Sequence, residues 1–224
     1  MVAAPTAPLR WYLAYGVELA FSTAADGDMR ESVQRQNWLK RIGRSDGCRV
    51  PRQVHGVSIV DATDRDGLLT ADGLVSRDGG DIGVYGADCP GLCIATEQVF
   101  GLAHCGWRGA AGGIVERLVT AISAATTQPR SAWHACIGPG ISAAHYQVDT
   151  PVLAARSWPS AALSARTPGH AQLDLAQAIR EDLRGCGIDQ VVSSGVCTRE
   201  DPRLHSYRHQ GQGPTQLLAA WRVR

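Results

Sequence analysis

Residues 82–122 read IGVYGADCPGLCIATEQVFGLAHCGWRGAAGGIVERLVTAI, and the architecture can be built outward from them. The first half of this stretch contains short apolar runs separated by Gly and Asp, which is typical of sheet strands; the runs are 82–85, 92–96 and 99–103. The polar pair Glu97-Gln98 predicts a hairpin between the last two. After the Gly-rich residues 106–113, apolar side chains recur at helical spacing at Ile114, Leu118, Val119 and Ile122.

The flanking sequence predicts more elements of both kinds. Apolar runs predict strands at 17–22, 58–62, 73–76, 133–137 and 190–194. Helical spacing predicts helices over 30–42 and 175–183, the second ending before Gly185. Residues 156–170, with Pro159, Pro168 and Gly169, are predicted to be a surface connection. The result is a mixed α/β domain in which helices cover a sheet.

Length and composition indicate one compact body. The chain has 224 residues, 44% of them hydrophobic and 19% charged, which suffices for a single large domain over residues 1–224. Pro5 and Pro8 predict a loosely attached N-terminal segment over residues 1–15.

The charge balance gives no reason to expect a polyanionic partner. Lys+Arg 22 against Asp+Glu 21 leaves a formal net charge of +1, so we expect neither a nucleic acid nor a membrane partner. Lys40 is the one lysine of the chain, and the phosphate-binding loop motif with its Gly-Lys-Ser/Thr is missing. The G-x-G-x-x-G, G-x-S-x-G and H-E-x-x-H motifs are missing as well.

The cysteines favour a reducing compartment. There are seven, an odd number without any C-x-x-C pair, so reduced thiols in a cytoplasmic protein are expected. The first residues lack the positive charge of a signal peptide, and Glu18 interrupts the apolar stretch 11–21 before it reaches membrane-spanning length. The sequence therefore predicts a cytoplasmic protein without an anchor.

Three Gly-containing segments carry side chains that can bind a metal: His55 in Gln-Val-His-Gly, Cys89 in Gly-Ala-Asp-Cys-Pro, and His104 in Ala-His-Cys-Gly-Trp-Arg-Gly. Two imidazoles and a thiolate suit zinc or copper, and three protein ligands leave one position for water or substrate. The intervals of 34 and 15 residues match no short structural-zinc pattern. On spacing alone, hydrogen-bonded loop histidines and a core cysteine remain an alternative.

A set of ordered motifs carries a family resemblance. Besides the three segments above, the motifs are Ile137-Gly-Pro-Gly-Ile, Tyr146-Gln-Val-Asp149, Asp174-Leu175, Cys197-Thr198 and Ser206-Tyr207-Arg208. Their order resembles the YfiH-type family, also described as laccase-domain or multicopper polyphenol oxidase proteins, peptidoglycan editing factors and purine nucleoside phosphorylases of the laccase-domain kind. The resemblance runs from about Phe21 to the end.

The resemblance implies a fold and a metal centre. The fold would be a single-domain layered α/β (α+β) structure, an αββα sandwich with mixed sheets, similar to cytotoxic necrotizing factor deamidases. The metal ligands would be His55, Cys89 and His104, which match the family motif residue by residue. Zinc is the expected cofactor, with copper as the alternative.

This chain departs from the family pattern at several positions. Cys105 stands where alanine is usual, Gly140 and His145 stand where cysteine is frequent, His205 occupies an aromatic position, and His209 replaces a second arginine. The departures change the set of thiol and imidazole groups near the expected site, so they leave the metal and the substrate range open.

Further residues are predicted to act around the metal. Cys89 is favoured as a ligand, with a nucleophile in a Cys-His pair as the alternative. Asp88 is a candidate for supporting a histidine ligand or for a catalytic role, and equally for capping a turn. Arg108 and Arg208 are predicted to bind phosphate, with Tyr207 beside Arg208 in the substrate site, although surface ion pairs are the commoner fate of arginine.

The leading functional expectation is a metal-dependent purine nucleoside phosphorylase that converts adenosine or inosine and phosphate to the base and ribose 1-phosphate. Adenosine deaminase and methylthioadenosine phosphorylase activities would accompany it. The alternatives are a copper-dependent polyphenol oxidase, a peptidoglycan-precursor editing amidase, and a structural zinc module with Cys105 as fourth ligand. The partners would be a small-molecule nucleoside and phosphate, while the oligomeric state is not specified.

Overall fold

A computed structural model describes residues 7–44, 47–64 and 69–223. The helices are α1 Ser32–Arg41, α2 Trp107–Ala111, α3 Ile114–Ser123, α4 Thr150–Leu153, α5 Leu175–Gly185 and α6 Tyr207–Gln210. The strands are β1 Leu9–Tyr12, β2 Val17–Phe21, β3 Ile59–Asp61, β4 Gly73–Ser76, β5 Ile82–Gly86, β6 Gly91–Ala95, β7 Phe100–His104, β8 His134–Ile137, β9 Gln147–Asp149, β10 Leu163–Thr167, β11 His170–Leu173, β12 Gln190–Ser193 and β13 Gln216–Arg222.

The strands form three sheets. The central sheet has the order β12-β8-β6-β7-β4-β3, with parallel pairs at its two ends and antiparallel pairs between. A second sheet has the order β1-β2-β13-β5 and is antiparallel throughout. A smaller sheet has the order β10-β11-β9.

Strand β13 shows how the layers are stacked. Successive side chains of a strand point to opposite faces of its sheet. Leu217, Ala219 and Trp221 pack with Trp38 and Leu39 of α1. Leu218 and Ala220 instead pack against the central sheet. The second sheet is therefore buried on both faces, between α1 and the central sheet.

The central sheet is likewise buried on both faces. On β6, Cys93 and Ala95 pack toward the second sheet, whereas Leu92 and Ile94 pack in a cluster with residues of α3 and α5. The order of layers is α1, second sheet, central sheet, then α3 with α5. This confirms the predicted αββα sandwich with mixed sheets.

Strands β9, β11 and β13 and the short helices α2, α4 and α6 were not predicted. Two further segments differ from an expectation that the sequence analysis stated. Residues 9–12, expected to be loosely attached, pair with β2, and the partly buried Leu9 and Trp11 pack against the core between the sheets; residues 1–6 of that segment lie outside the described residues. Residues 156–170, expected to be a surface connection, contain β10 and the first residue of β11. The side chains of β10 are half-buried or exposed, so its sequence lacks the apolar alternation of a strand.

The connection between β5 and β6 crosses from the second sheet to the central one. It consists of residues 87–90. A Cβ on Gly86 would lie 2.8 Å from the carbonyl oxygen of Cys89, so this crossing requires glycine. The crossing places Asp88 and Cys89 where the two sheets meet.

Candidate metal centre

The structure brings the three predicted ligands together. His55 lies in the loop before β3, Cys89 in the β5–β6 connection, and His104 is the last residue of β7. One donor atom from each lies within 4.8 Å of the other two. The two imidazole rings meet edge to face, with centroids 4.8 Å apart. The three side chains thus form a group that can hold one metal ion.

Asp72, which the sequence analysis did not select, organises this group. Its carboxylate lies 3.0 Å from Nδ1 of His104 and accepts hydrogen bonds from the backbone amides of Val54, His55 and Gly56 at 3.1, 2.9 and 2.7 Å. The Nδ1 contact leaves Nε2 of His104 available as the ligand atom. Asp72 therefore orients one imidazole directly and the other through its backbone.

The backbone around His55 is unusual. His55 has a φ of 59°, in the left-handed region that residues other than glycine seldom adopt. Three consecutive amides converge on one carboxylate here, the arrangement of an anion-binding nest. The fully buried Asp72 gains hydrogen bonds that outweigh its burial and hold its pKa below the usual value.

The electrostatics of Cys89 favour the thiolate. Burial alone would raise the pKa of this thiol, but hydrogen bonds and charge from His104 and His55 outweigh burial and lower the pKa to about 7. Burial lowers the pKa of His104, yet its bonds to Asp72 and Cys89 raise it to about 9. An ionised sulfur beside two imidazoles is ready to bind a metal or to act as a nucleophile.

Gly106 leaves space beside all three donors. A Cβ at this position would lie 2.9 Å from Sγ of Cys89, 3.3 Å from Cδ2 of His55 and 3.4 Å from Cε1 of His104. The donor set of two imidazoles and one thiolate also suits zinc or copper. By both criteria the residues present fit a bound metal ion.

Asp88 does not support a histidine ligand as predicted; Asp72 does. One carboxylate oxygen of Asp88 accepts from the hydroxyl of Thr198 at 2.7 Å, and the other accepts from the amide of Arg208 at 2.6 Å. Asp88 therefore links the β5–β6 connection, which contains Cys89, to the segments that contain Thr198 and Arg208. The sequence signal for Asp72 was a single Asp before the Gly73-Leu-Val-Ser strand, which is also an ordinary turn position.

The two predicted phosphate ligands are exposed arginines stacked on aromatic rings. The guanidinium of Arg108 lies 4.3 Å from the ring centre of Trp107. These two residues directly follow Gly106 in the chain. The guanidinium of Arg208 lies 5.0 Å from the ring centre of Tyr146. Tyr207, predicted beside Arg208 in the substrate site, is 61% exposed at the start of α6.

Tyr146 is a further residue near the donors. It is buried, and burial together with the charge of Cys89 raises the pKa of its hydroxyl to about 12, against the opposing effect of Arg208. The Tyr-Gln-Val-Asp motif was noted in the sequence, but nothing there indicated an aromatic support for Arg208. Arg108 lies in the short helix α2, one residue after its start, and precedes α3.

Cys105 is not a ligand of this group. Its side chain is fully buried in the cluster between the central sheet and the helices, where burial raises the pKa of its thiol. Cys105 is therefore wrong as the fourth ligand of a structural zinc module. His205 is also buried, with Nε2 3.0 Å from the carbonyl oxygen of Gly211. His145 belongs to a second group of donors, with Cys197 and Glu200.

A sequence model described as multi-copper polyphenol oxidoreductase laccase matches residues 16–222. The chain belongs to this family. This confirms the resemblance seen in the ordered motifs.

The similar proteins include curated relatives and solved structures. A purine nucleoside phosphorylase of Xylella fastidiosa strain Temecula1 is 32% identical over 216 residues, which cover 88% of this chain and 81% of that protein. A purine nucleoside phosphorylase of Deinococcus radiodurans is 36% identical over 162 residues, covering 70% of this chain and 62% of that protein. The YfiH protein of Bacillus licheniformis has the same fold, with a TM-score of 0.86, 22% identity and coverage of 100% and 98% of the two chains.

Within the described ranges, none of the helices combines the length and the apolar character needed to cross a membrane.

Proposed function

We propose that this protein is a metal-dependent purine nucleoside phosphorylase that converts adenosine or inosine and phosphate to the base and ribose 1-phosphate. The observation that carries the proposal is the convergence of His55, Cys89 and His104 within 4.8 Å. The curated relatives named purine nucleoside phosphorylase support it. Adenosine deaminase and methylthioadenosine phosphorylase activities are proposed to accompany it.

The proposed cofactor is zinc, held by His55, Cys89 and His104, with copper as the alternative occupant. Bound zinc would supply a Lewis acid with one position open to water or substrate. The protein's own contribution is the fixed donor geometry, because Asp72 holds both histidine ligands in place.

Arg108 and Arg208 are the proposed phosphate ligands. Their guanidinium groups are exposed and stacked on Trp107 and Tyr146, so the planar donors are pre-oriented for an anion. The backbone of Arg208 is held by Asp88. We assign Asp88 to this positioning task, because both of its carboxylate oxygens already accept hydrogen bonds.

The reaction breaks the bond between C1′ of the ribose and the purine nitrogen and forms a bond from a phosphate oxygen to C1′. The purine leaves with the electron pair and takes up the proton that hydrogen phosphate gives up, directly or through water. Holding phosphate and nucleoside together converts a bimolecular encounter into a step within one complex. The positive charge of the two arginines also concentrates phosphate at the site.

A pocket of about 290 Å³ beside Arg208 is the proposed nucleoside site. Gln147, Asp149 and His170 are among its lining residues. Its size is at the lower end of the range for small-ligand pockets, about 300 Å³. The polar side chains of Gln147 and Asp149 are exposed and suited to hydrogen-bond ribose hydroxyls. Arg208 links this pocket to the Asp88–Cys89 connection.

Product analysis tests the proposal. Zinc-loaded protein is incubated with adenosine, with and without phosphate, and the products are separated by chromatography. We expect adenine and ribose 1-phosphate only when phosphate is present, and a large loss of turnover in His55→Ala. The matched control is His134→Ala, because this half-buried imidazole begins β8 and belongs to neither donor group. The absence of phosphate-dependent adenine would overturn the proposal.

A second candidate, a thiol amidase that edits peptidoglycan precursors, is favoured by one contact. Cys89 interacts with His104, which in turn contacts Asp72 at 3.0 Å, so the three form a nucleophile, base and orienting acid in series. The two candidates are separated by assaying the wild type and Cys89→Ser on an amide substrate. Amide cleavage by the metal-free wild type, lost in Cys89→Ser, would support the amidase.

The proposed location is the cytoplasm. Cys89 has to remain a reduced thiolate to bind metal or act as a nucleophile, and a reducing compartment maintains that state.

A further inference from the structure

The structure contains a second group of donors. His145 ends a short 3-10 turn, Ala143–His145, just before β9, and Cys197 and Glu200 lie in the segment after β12. One donor atom from each lies within 4.8 Å of the other two. The group is distinct in sequence from the His55 centre, and it includes His145, where the family pattern has a frequent cysteine.

The contacts within this group resemble those of a ligand set. Nε2 of His145 lies 2.7 Å from a carboxylate oxygen of Glu200. Sγ of Cys197 accepts a hydrogen bond from the amide of Ser142 at 3.4 Å. Cys197 itself is only 7% exposed.

A separate observation also indicates a ligand. The hydroxyl oxygen of Ser142 is buried and, among the described residues, has no hydrogen-bond partner. Buried polar atoms are normally paired, so an orphaned hydroxyl indicates a missing partner such as an ion or a water. Ser142 lines a pocket of about 220 Å³ together with Cys197 and Glu200.

A His–Glu pair on its own would be an ordinary surface contact of little energetic value. Here a soft sulfur donor lies within 4.8 Å of both partners. Imidazole, thiolate and carboxylate are the three protein ligand types of zinc. The combination is therefore more specific than a charged surface pair.

We propose that His145, Cys197 and Glu200 form a second binding site for a thiophilic divalent cation, of which zinc is the representative. The remaining position would be filled by water or by the Ser142 hydroxyl. Binding through sulfur would release the thiol proton of Cys197.

This second site would join two segments that hold the first. Thr198, next to Cys197, donates to Asp88 at 2.7 Å, and the amide of Ile141 donates to the carbonyl oxygen of Asp88 at 2.8 Å. Tyr146, which supports Arg208, directly follows His145. The site thus goes beyond the proposed phosphorylase activity, and its occupancy can be measured without any substrate.

Metal stoichiometry tests the proposal. The protein is stripped with a chelator, loaded with zinc, desalted, and analysed for bound zinc per chain by elemental and native mass spectrometry. We expect two equivalents in the wild type and one in Glu200→Gln, Cys197→Ser or His55→Ala. Glu31→Gln and Cys186→Ser are the matched controls and should keep two, because their side chains belong to neither donor group.

Cobalt provides an independent readout of the sulfur ligand. In Cys89→Ser the first centre has no thiolate, so the proposal assigns a remaining cobalt–thiolate charge-transfer band to Cys197. We expect that band in Cys89→Ser and its loss in the double variant Cys89→Ser, Cys197→Ser. Circular dichroism establishes that each variant is folded, and Glu200→Gln, with a side chain 58% exposed, is the variant least able to disturb folding.

Two results would overturn the proposal. One is a single zinc equivalent in the wild type that His55→Ala removes and Glu200→Gln leaves in place. The other is two equivalents that persist in both Glu200→Gln and Cys197→Ser. Neither result depends on whether adenosine is cleaved, so failure of this proposal and failure of the phosphorylase proposal can be told apart.

Discussion

Gly106 lies beside the three donor side chains. Replacing it by alanine adds a single methyl group next to the proposed metal centre. In Gly106→Ala the added Cβ would lie 2.9 Å from Sγ of Cys89 and crowd both imidazoles. We expect metal affinity to fall by about 10- to 100-fold, the range seen when the surroundings of metal ligands are disturbed. A competition titration with a chromophoric chelator measures the change.

The matched control for this substitution is Gly185→Ala. Gly185 is the last residue of α5, and a Cβ there would have no heavy atom within 4 Å. This variant should bind metal like the wild type. Equal affinities in the two alanine variants would show that the metal does not occupy the space beside Gly106.

The lowered pKa of Cys89 predicts a pH profile for the metal-free protein. The thiolate is the reactive form, so the alkylation rate of Cys89 should rise with pH, with a midpoint near 7, below the 8.5 or so of an ordinary thiol. In His104→Ala the partner that lowers the pKa is lost while burial still raises it, so the midpoint should move upward. Iodoacetamide labelling read by peptide mass spectrometry measures both profiles.

Selectivity provides the control for this experiment. Burial raises the pKa of the Cys93, Cys105 and Cys136 thiols, so these should remain unlabelled near pH 7. Rapid labelling of those cysteines at neutral pH, or a Cys89 midpoint near 9, would contradict the prediction.

At the level of single residues, the sequence singled out the three candidate ligands but not the residue that orients them. His55, Cys89 and His104 were recognisable because imidazole and thiolate beside glycine are uncommon and match a family motif. Asp72 was not recognisable, because one Asp before a strand looks like a turn residue until the fold places three amides around it. Tyr146 was missed for the same reason: its contact with Arg208 joins positions 62 residues apart.

Trp38 of helix α1 is fully buried in the cluster that the helix forms with β13. Trp38→Ala should lower the free energy of unfolding by about 3–5 kcal/mol, because it leaves a large cavity between helix and sheet. Val33→Ala, on the same helix but 67% exposed, should change it by no more than about 0.5 kcal/mol. Urea unfolding monitored by circular dichroism compares the two variants, and similar losses in both would contradict the packing described for α1.

At the level of elements, strands buried on both faces were predicted best in the middle of the chain. There, glycine and aspartate separate the apolar runs of β4, β5, β6 and β7. Strand β10 was missed because its side chains are half-buried or exposed and its neighbours include prolines. Strand β1 was missed because only alternate residues are partly buried. Edge strands with so little burial leave a weak apolar pattern in the sequence.

For the molecule as a whole, the layered arrangement predicts a gradient of backbone protection. Strand β13 pairs on both sides and nearly all its residues are buried, so its amides should exchange only when the whole domain unfolds. Strands β1, β3 and β10 each pair on one side only and should exchange sooner through local opening. Hydrogen–deuterium exchange read by mass spectrometry measures the order, and faster exchange in β13 than in β1 would contradict it.

The hydrogen bonds that converge on Asp72 imply an order of events during folding. Asp72 precedes β4, His104 ends β7, and these strands pair with each other, so Asp72 reaches both histidine ligands only after that pairing has formed. A zinc finger gathers its ligands within a short loop and folds around the ion. Here the ligands are spread over 50 residues and depend on long-range pairing, so the ion would be captured late, by a chain that is already folded. Chelation would then yield an intact empty protein, and the metal supply in the cell would govern its activity rather than its survival.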